Sequence, residues 1–283
     1  MSATALMSFV TLLLILAAVV FYVIYWPELR LRRILALEFP SAWREIVARR
    51  LPFFNKMPER LQNELQDLIK VFLHDKNFVG CAGQEIDDEI RVTVAAQACL
   101  LLLNRETDYY RHLESILIYP STFVATRSVR DELGLISTDH AVLLGESWDQ
   151  GKVILSWDSV EEGVRNFHDG HNVVLHEFAH QLDHASGSSN GAPLLRTRGA
   201  YQSWAHVLSS EFEELQRDAE HGRRSLLDHY GATNPAEFFA VATETFFERP
   251  EQMREGHREL YRELVNFYQV DPAEWWDAPG QGL

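Results

Sequence analysis

From Asn172 to Asp183 the chain reads Asn-Val-Val-Leu-His-Glu-Phe-Ala-His-Gln-Leu-Asp. Val173, Val174, Phe178 and Leu182 recur at helical spacing with no Pro or Gly between them, which predicts an α-helix. On that helix His176 and His180 lie one turn apart, about 6 Å along the axis, and project from one face. Two imidazoles held that way can close on a single metal ion, and borderline-soft zinc suits nitrogen ligands. Glu177 lies beside that face, where it can take a proton from an activated water rather than bind the metal. A third ligand must then come from another element that packs against this helix.

A chain of 283 residues with 46% apolar composition can bury a sizeable core, as one large domain or two small ones. Its net charge of −15 argues against nucleic acid as a direct partner, since a phosphate-binding surface needs clustered Lys and Arg. The two cysteines, Cys81 and Cys99, have neither metal-motif spacing nor the density of a disulfide framework. They predict buried free thiols in a reducing compartment.

The N-terminus has a different composition. No side chain in 1–27 is charged, and 6–26 is almost continuously apolar, about the 20 residues that span a bilayer as a helix. A secretory signal has a basic leading region and a shorter apolar core, and neither is present. Tyr22, Tyr25 and Trp26 fall where aromatic side chains meet headgroups, and Arg30, Arg32 and Arg33 follow at once. The positive-inside rule predicts one pass through the inner (cytoplasmic) membrane, with the rest of the chain in the cytoplasm. The expected organisation is a transmembrane anchor at 1–27, a basic juxtamembrane segment at 28–51, a metal-binding domain at 52–272 and a tail at 273–283.

Within that domain, helices are expected from Pro58 to about Asp75 and over 90–104. Short β-rich runs follow at 115–119, 141–145 and 153–157, bounded by Pro, Gly and Asp. The last two are joined through Asp149-Gln150-Gly151 and are expected to pair as a hairpin. After the metal helix come a turn-rich loop at 186–191 and helices over about 201–221, from Pro235 through Phe247, and over 258–268. The fold class expected is α+β, mostly helical with a small antiparallel sheet.

Glu237 is the leading choice for the third ligand, although it has a plain structural explanation. With Asn234 as N-cap and Pro235 at the first helical position, Glu237 is the third residue of a capping box. His168, His171 and His184 flank the motif and are alternatives.

Residues 176–183, His-Glu-Phe-Ala-His-Gln-Leu-Asp, followed by Tyr-Gly-Ala-Thr-Asn-Pro-Ala-Glu-Phe-Phe-Ala at 230–240, resemble the Mlc titration factor A family of zinc peptidases. The runs at 78–81, 91–98, 153–157 and 169–175 match the same family, so the resemblance covers roughly 52–272. The family's catalytic part is similar to that of anthrax lethal factor, a zincin. This implies a zincin-like domain holding one Zn2+ per chain through His176, His180 and Glu237, with Glu177 as general base. It also implies a site role for Tyr230, whose phenol can donate a hydrogen bond to the oxyanion of a tetrahedral intermediate. Asp183, three residues past His180, and Glu244, two turns beyond Glu237, can each orient a ligand imidazole.

The resemblance implies peptidase activity towards short peptides, aminopeptidase-like. A second reading is a regulatory protein that sequesters a DNA-binding transcriptional repressor, as the family's named member does, and a third is a structural zinc protein. An intact Glu177 favours the enzyme, because binding alone needs no base. The apolar anchor departs from the family, whose named member is soluble, so localisation rests on hydropathy and the arginines.

Overall fold

The computed structural model describes residues 3–105, 110–121, 123–130, 136–143, 145–148, 151–185 and 187–276. Asp149 and Gln150 of the expected turn, Leu144 of an expected strand, Ser186 and the tail beyond 276 lie outside them. The chain divides into two compact units, Met1–Pro40 and Ser41–Leu283.

The first unit is helical. α1 (Ala3–Val20) runs through a π-helical turn at Phe21–Tyr25 into α2 (Trp26–Leu35). The widened turn directly precedes Pro27, which has no N–H to donate and whose ring crowds the carbonyl four residues earlier. The 29 residues from Met7 to Leu35 are long and apolar enough to cross a membrane, and the apolar part of this helix is exposed.

The second unit opens with α3 (Ser41–Arg50) and α4 (Glu59–Asp75), then strand β1 (Asn77–Gly80) and α5 (Asp88–Leu100). Ion pairs from Arg49 and Arg50 to Glu89, with a Trp43–Asp88 hydrogen bond of 2.9 Å, tie α3 to α5. Strands β2 (Ser115–Tyr119), β3 (Phe123–Arg130), β4 (Ile136–Leu143), β5 (Gly145–Trp148) and β6 (Lys152–Ser156) follow. The rest is helical: α6 (Trp157–Arg165), α7 (Val173–His184), α8 (Arg198–His221), α9 (Pro235–Glu248), α10 (Pro250–Gly256) and α11 (Arg258–Tyr268).

The sheet corrects the expectation of an antiparallel one. Its strand order is β1-β2-β6-β5, and β1, β2 and β6 run parallel, with Phe78 opposite Ile116 and Ile116 opposite Val153. Only β5 is antiparallel, pairing with β6 from Gly145–Leu155 to Trp148–Lys152. Alternation within a strand records which faces are buried, whereas a neighbour's direction is set by the connection. A helical crossover such as α5 allows parallel pairing. Ile116, Ile118, Val153 and Leu155 are buried on one face of the sheet, and in β6 Ile154 is buried on the other.

The expected strand at 141–145 also divides. Its first three residues end β4, which pairs with β3 in a separate two-stranded ribbon, and only Gly145 belongs to the hairpin with β6. The cysteines differ as well: Cys99 is buried and free, but Cys81 is free and partly exposed.

α7 lies at the centre of this unit, in contact with α5, α6, α9 and strands β5 and β6. Phe178 on its inner face is fully buried, 5.0 Å from the Tyr110 ring and 5.7 Å from the Phe72 ring. α9 is buried almost all round; from Ala236 to Glu248 only Glu237 is partly exposed. A helix with one accessible carboxylate, packed on a helix bearing two histidines, brings the site together.

Candidate metal centre

Both helices begin on an asparagine cap, which sets where each functional side chain falls. Asn172 Oδ1 accepts from the backbone N–H groups of Val174 and Leu175, each at 3.1 Å, so α7 starts in a register that turns His176 and His180 towards α9. Asn234 Oδ1 accepts from Ala236 and Glu237 N–H at 3.0 and 3.1 Å, and Pro235 presets the first turn of α9. Glu237 is the third helical residue, as expected, and its carboxylate turns to the histidines. Its Oε2 lies 3.0 Å from His176 Nε2 and 3.3 Å from His180 Nε2.

The two imidazole Nε2 atoms are 3.2 Å apart. Donor atoms about 2.0–2.2 Å from a tetrahedral zinc ion are separated by roughly 3.3–3.5 Å. The three atoms therefore stand close to where a shared ion would hold them. Among the described residues, His176, His180 and Glu237 form the group that could hold a metal ion. The flanking candidates His168, His171 and His184 are not part of it.

Electrostatics point the same way. Burial lowers the basicity of the His176 imidazole, but Glu244, Glu237 and Glu177 outweigh burial and raise its pKa well above the ordinary value. Burial raises the Glu237 carboxyl, yet the two imidazoles beside it bring it down to about 2. A nearly enclosed nest of carboxylates around two imidazoles favours a positive charge at its centre, supplied by protons or by a cation.

Glu244, one of the two secondary carboxylates, takes the orienting position. Its Oε1 is 2.7 Å from His176 Nδ1, an arrangement that puts the N–H on Nδ1 and leaves the Nε2 lone pair for a metal. Asp183 does not serve His180 this way. Its Oδ2 accepts the Gly191 N–H at 2.7 Å, and its buried Oδ1 has no hydrogen-bond partner among the described residues. Burial raises the Asp183 pKa, against the pull of Gly191 and His180.

Glu177 is buried, at 4% exposure, next to the first histidine. Tyr230 lies on a short 3₁₀ turn, His229–Ala232, pinned by the Asp228 carboxylate that accepts its N–H at 2.6 Å. Its ring is 6.0 Å from that of His176 and its side chain is exposed. Partial desolvation by its neighbours and the charges of Glu237, Glu177 and Glu244 raise its pKa, so it stays a phenol able to donate.

The sequence profile of the glucose-regulated metallo-peptidase M90 family matches residues 26–269, most of the chain. The chain belongs to this family. It is 31% identical over 235 residues to Mlc titration factor A of Escherichia coli, covering 82% of this chain and 87% of that protein. Mlc titration factor A of Cronobacter sakazakii is 32% identical over 236 residues. An uncharacterised protein of Synechocystis is 37% identical over 263 residues, covering 93% of this chain and 96% of its own length.

Membership of a metallopeptidase family makes a metal the natural occupant of this M90 centre, and the donor set fits one. The matched span begins at residue 26, at the end of the apolar stretch. Two residues escaped the sequence reading. Asn172 and Glu248 are both buried and bonded to one another, Nδ2 to Oε1, at 3.0 Å. Asn172 was visible as the residue before a helix, but nothing local pointed to a partner 76 residues away.

Proposed function

We propose that this M90 protein is a membrane-anchored zinc metallopeptidase with its catalytic unit on the cytoplasmic face of the inner membrane. His176, His180 and Glu237 would hold one Zn2+, and the observation that carries this is their mutual approach to 3.0–3.3 Å with His176 Nδ1 fixed by Glu244. Bound there, zinc supplies a Lewis acid and lowers the pKa of water towards about 7. Glu177 takes the proton of the attacking water and returns it to the leaving amine. The Tyr230 hydroxyl donates to the oxyanion.

The substrate backbone would bind along a sheet edge. β5 is an edge strand that pairs, among the described residues, with β6 alone, and it lies against α7. A substrate strand added along β5 would run beside the metal helix. Anchoring is supported by the exposed apolar helix ending in Tyr25, Trp26, Arg30, Arg32 and Arg33.

Glu177→Gln tests the reading. Zinc should stay at one per chain while hydrolysis of a mixed peptide library falls by about 10²–10⁴. Loss only of peptides with a free N-terminus from that library would mark an aminopeptidase. Zinc in both proteins with cleavage in neither would sink the enzyme. It would favour the second reading, which the name Mlc titration factor A supports: sequestration of a transcriptional repressor.

A further inference from the structure

We propose that Glu248 is a positioning residue of the metal centre, acting through the Asn172 cap of α7. The inference rests on His176 being a metal ligand. Glu248 lies one turn beyond Glu244 on α9, and both face the N-terminal turn of α7. It is 1% exposed, and the reaction proposed above does not use it.

Both of its oxygens are engaged by the chain that leads into the metal helix. Oε1 accepts from Asn172 Nδ2 at 3.0 Å, and Oε2 accepts from the Gly170 N–H at 2.9 Å. Asn172 in turn donates its backbone N–H to Glu244 Oε2, and the other Glu244 oxygen is the one at His176 Nδ1. A continuous path therefore runs from Glu248 through Asn172 and Glu244 to the first histidine. Gly170 has a φ of +85°, which favours glycine and lets this turn present its N–H to the carboxyl.

The residue type at 172 supports the path. Asn, Asp, Ser and Thr all cap helices well, because each offers an acceptor to the first N–H groups. Here the same side chain must also donate to a buried carboxyl. Asp has no such donor and would set a carboxylate oxygen in place of the Nδ2 that Glu248 accepts from. Ser and Thr have one oxygen on a short side chain, where the Asn amide presents an acceptor and a donor on separate atoms. Asparagine does both, with Oδ1 on the helix and Nδ2 on Glu248.

The test uses the full chain in detergent, loaded with zinc or with cobalt(II), as wild type, Glu248→Leu, Glu248→Gln and Asn172→Asp. Zinc affinity is read by chelator competition and ligand geometry by the visible spectrum of the cobalt form; a thermal melt reports folding. Glu248→Leu should weaken zinc binding about 10–100-fold and alter the cobalt spectrum. Glu248→Gln keeps an acceptor for Asn172 and should recover most of both. On a peptide that the wild type cleaves, kcat should fall with KM little changed.

A folded Glu248→Leu protein with wild-type zinc affinity and cobalt spectrum would overturn the proposal, even if its melting temperature dropped. Should Glu248→Leu not fold, Asn172→Asp decides: it keeps the cap, so an unchanged cobalt spectrum overturns the idea and a changed one supports it. Absence of zinc from the wild type would sink the metal-centre reading and this inference with it. Zinc held equally by wild type and variants would sink the inference alone.

Discussion

His176 and His180 stand one turn apart on α7, yet their surroundings differ. His176 is braced from behind: its Nδ1 meets Glu244, which is itself held by Asn172. His180 has a comparable acid close by in sequence, but Asp183 gives its carboxylate to the Gly191 N–H. Gly191 needs that anchor, because it passes so close to α9 that a Cβ there would lie 2.3 Å from the Pro235 carbonyl oxygen. The Gly191 carbonyl also accepts from the buried Trp204 indole at 2.8 Å. One carboxylate therefore orients His176 and the other holds the loop across the start of the helix that carries Glu237. Sequence proximity to a ligand did not decide which carboxylate serves it.

The comparison breaks altogether if Glu237, which faces both histidines, is removed. Glu237→Ala should abolish stoichiometric zinc, read as metal content after dialysis, while the asparagine cap keeps α9 folded. That is the largest effect expected.

Next comes pH, through the buried Glu248 carboxyl on the braced side. Burial pushes the Glu248 carboxyl up to about 8; Glu244 and Asp169 push the same way, against the pull of Asn172 and Gly170. Its ordinary value is 4.5, so between 4.5 and about 8 the folded protein holds a proton that the unfolded chain releases. Stability from this group is therefore full below about 4.5 and declines as pH rises through about 8, by on the order of 5 kcal/mol. Urea unfolding from pH 5 to 8.5 should show a flatter dependence in Glu248→Gln than in the wild type; equal slopes would refute the assignment.

The two sides then diverge directly. Glu244→Gln should weaken zinc about 10–100-fold, because an amide in place of the carboxylate no longer fixes the His176 tautomer with a charge. Asp183→Ala should leave zinc affinity within about threefold and instead cost about 1–3 kcal/mol of stability, the penalty for an unsatisfied Gly191 N–H. Equal losses of zinc affinity in the two variants would mean that Asp183 orients His180 after all. The smallest expected change in metal binding is for Tyr230→Phe, which should reduce kcat and leave zinc content unchanged.

The local features were legible because their causes are local. The helical period at 173–182 gave α7 and the pairing of His176 with His180, and Asn234-Pro235 gave the start of α9 within a residue. The capping box gave Glu237 a sufficient structural explanation, so its meeting with the histidines had to come from family resemblance, and the packing of α9 on α7 then showed it. Strand direction differs from the expectation because 115–119 and 153–157 are nearly continuous apolar runs of the kind parallel strands carry, while the turn residues at 149–151 mark only the one antiparallel neighbour of β6.

By itself, then, the sequence determined the helix α7 with its two histidines and adjacent glutamate, the Asn234 cap of α9 and an apolar N-terminal helix. Each follows from periodicity or chemistry within about 20 neighbouring residues. Only the tertiary structure decided that Glu244 braces His176, that Asp183 holds Gly191, and that Glu248 reaches Asn172. Those contacts join segments 68, 8 and 76 residues apart, and which polar groups meet there depends on how the two helices and the loop pack. Once these groups are buried, each must find a partner, and the fold determines which partner is in reach.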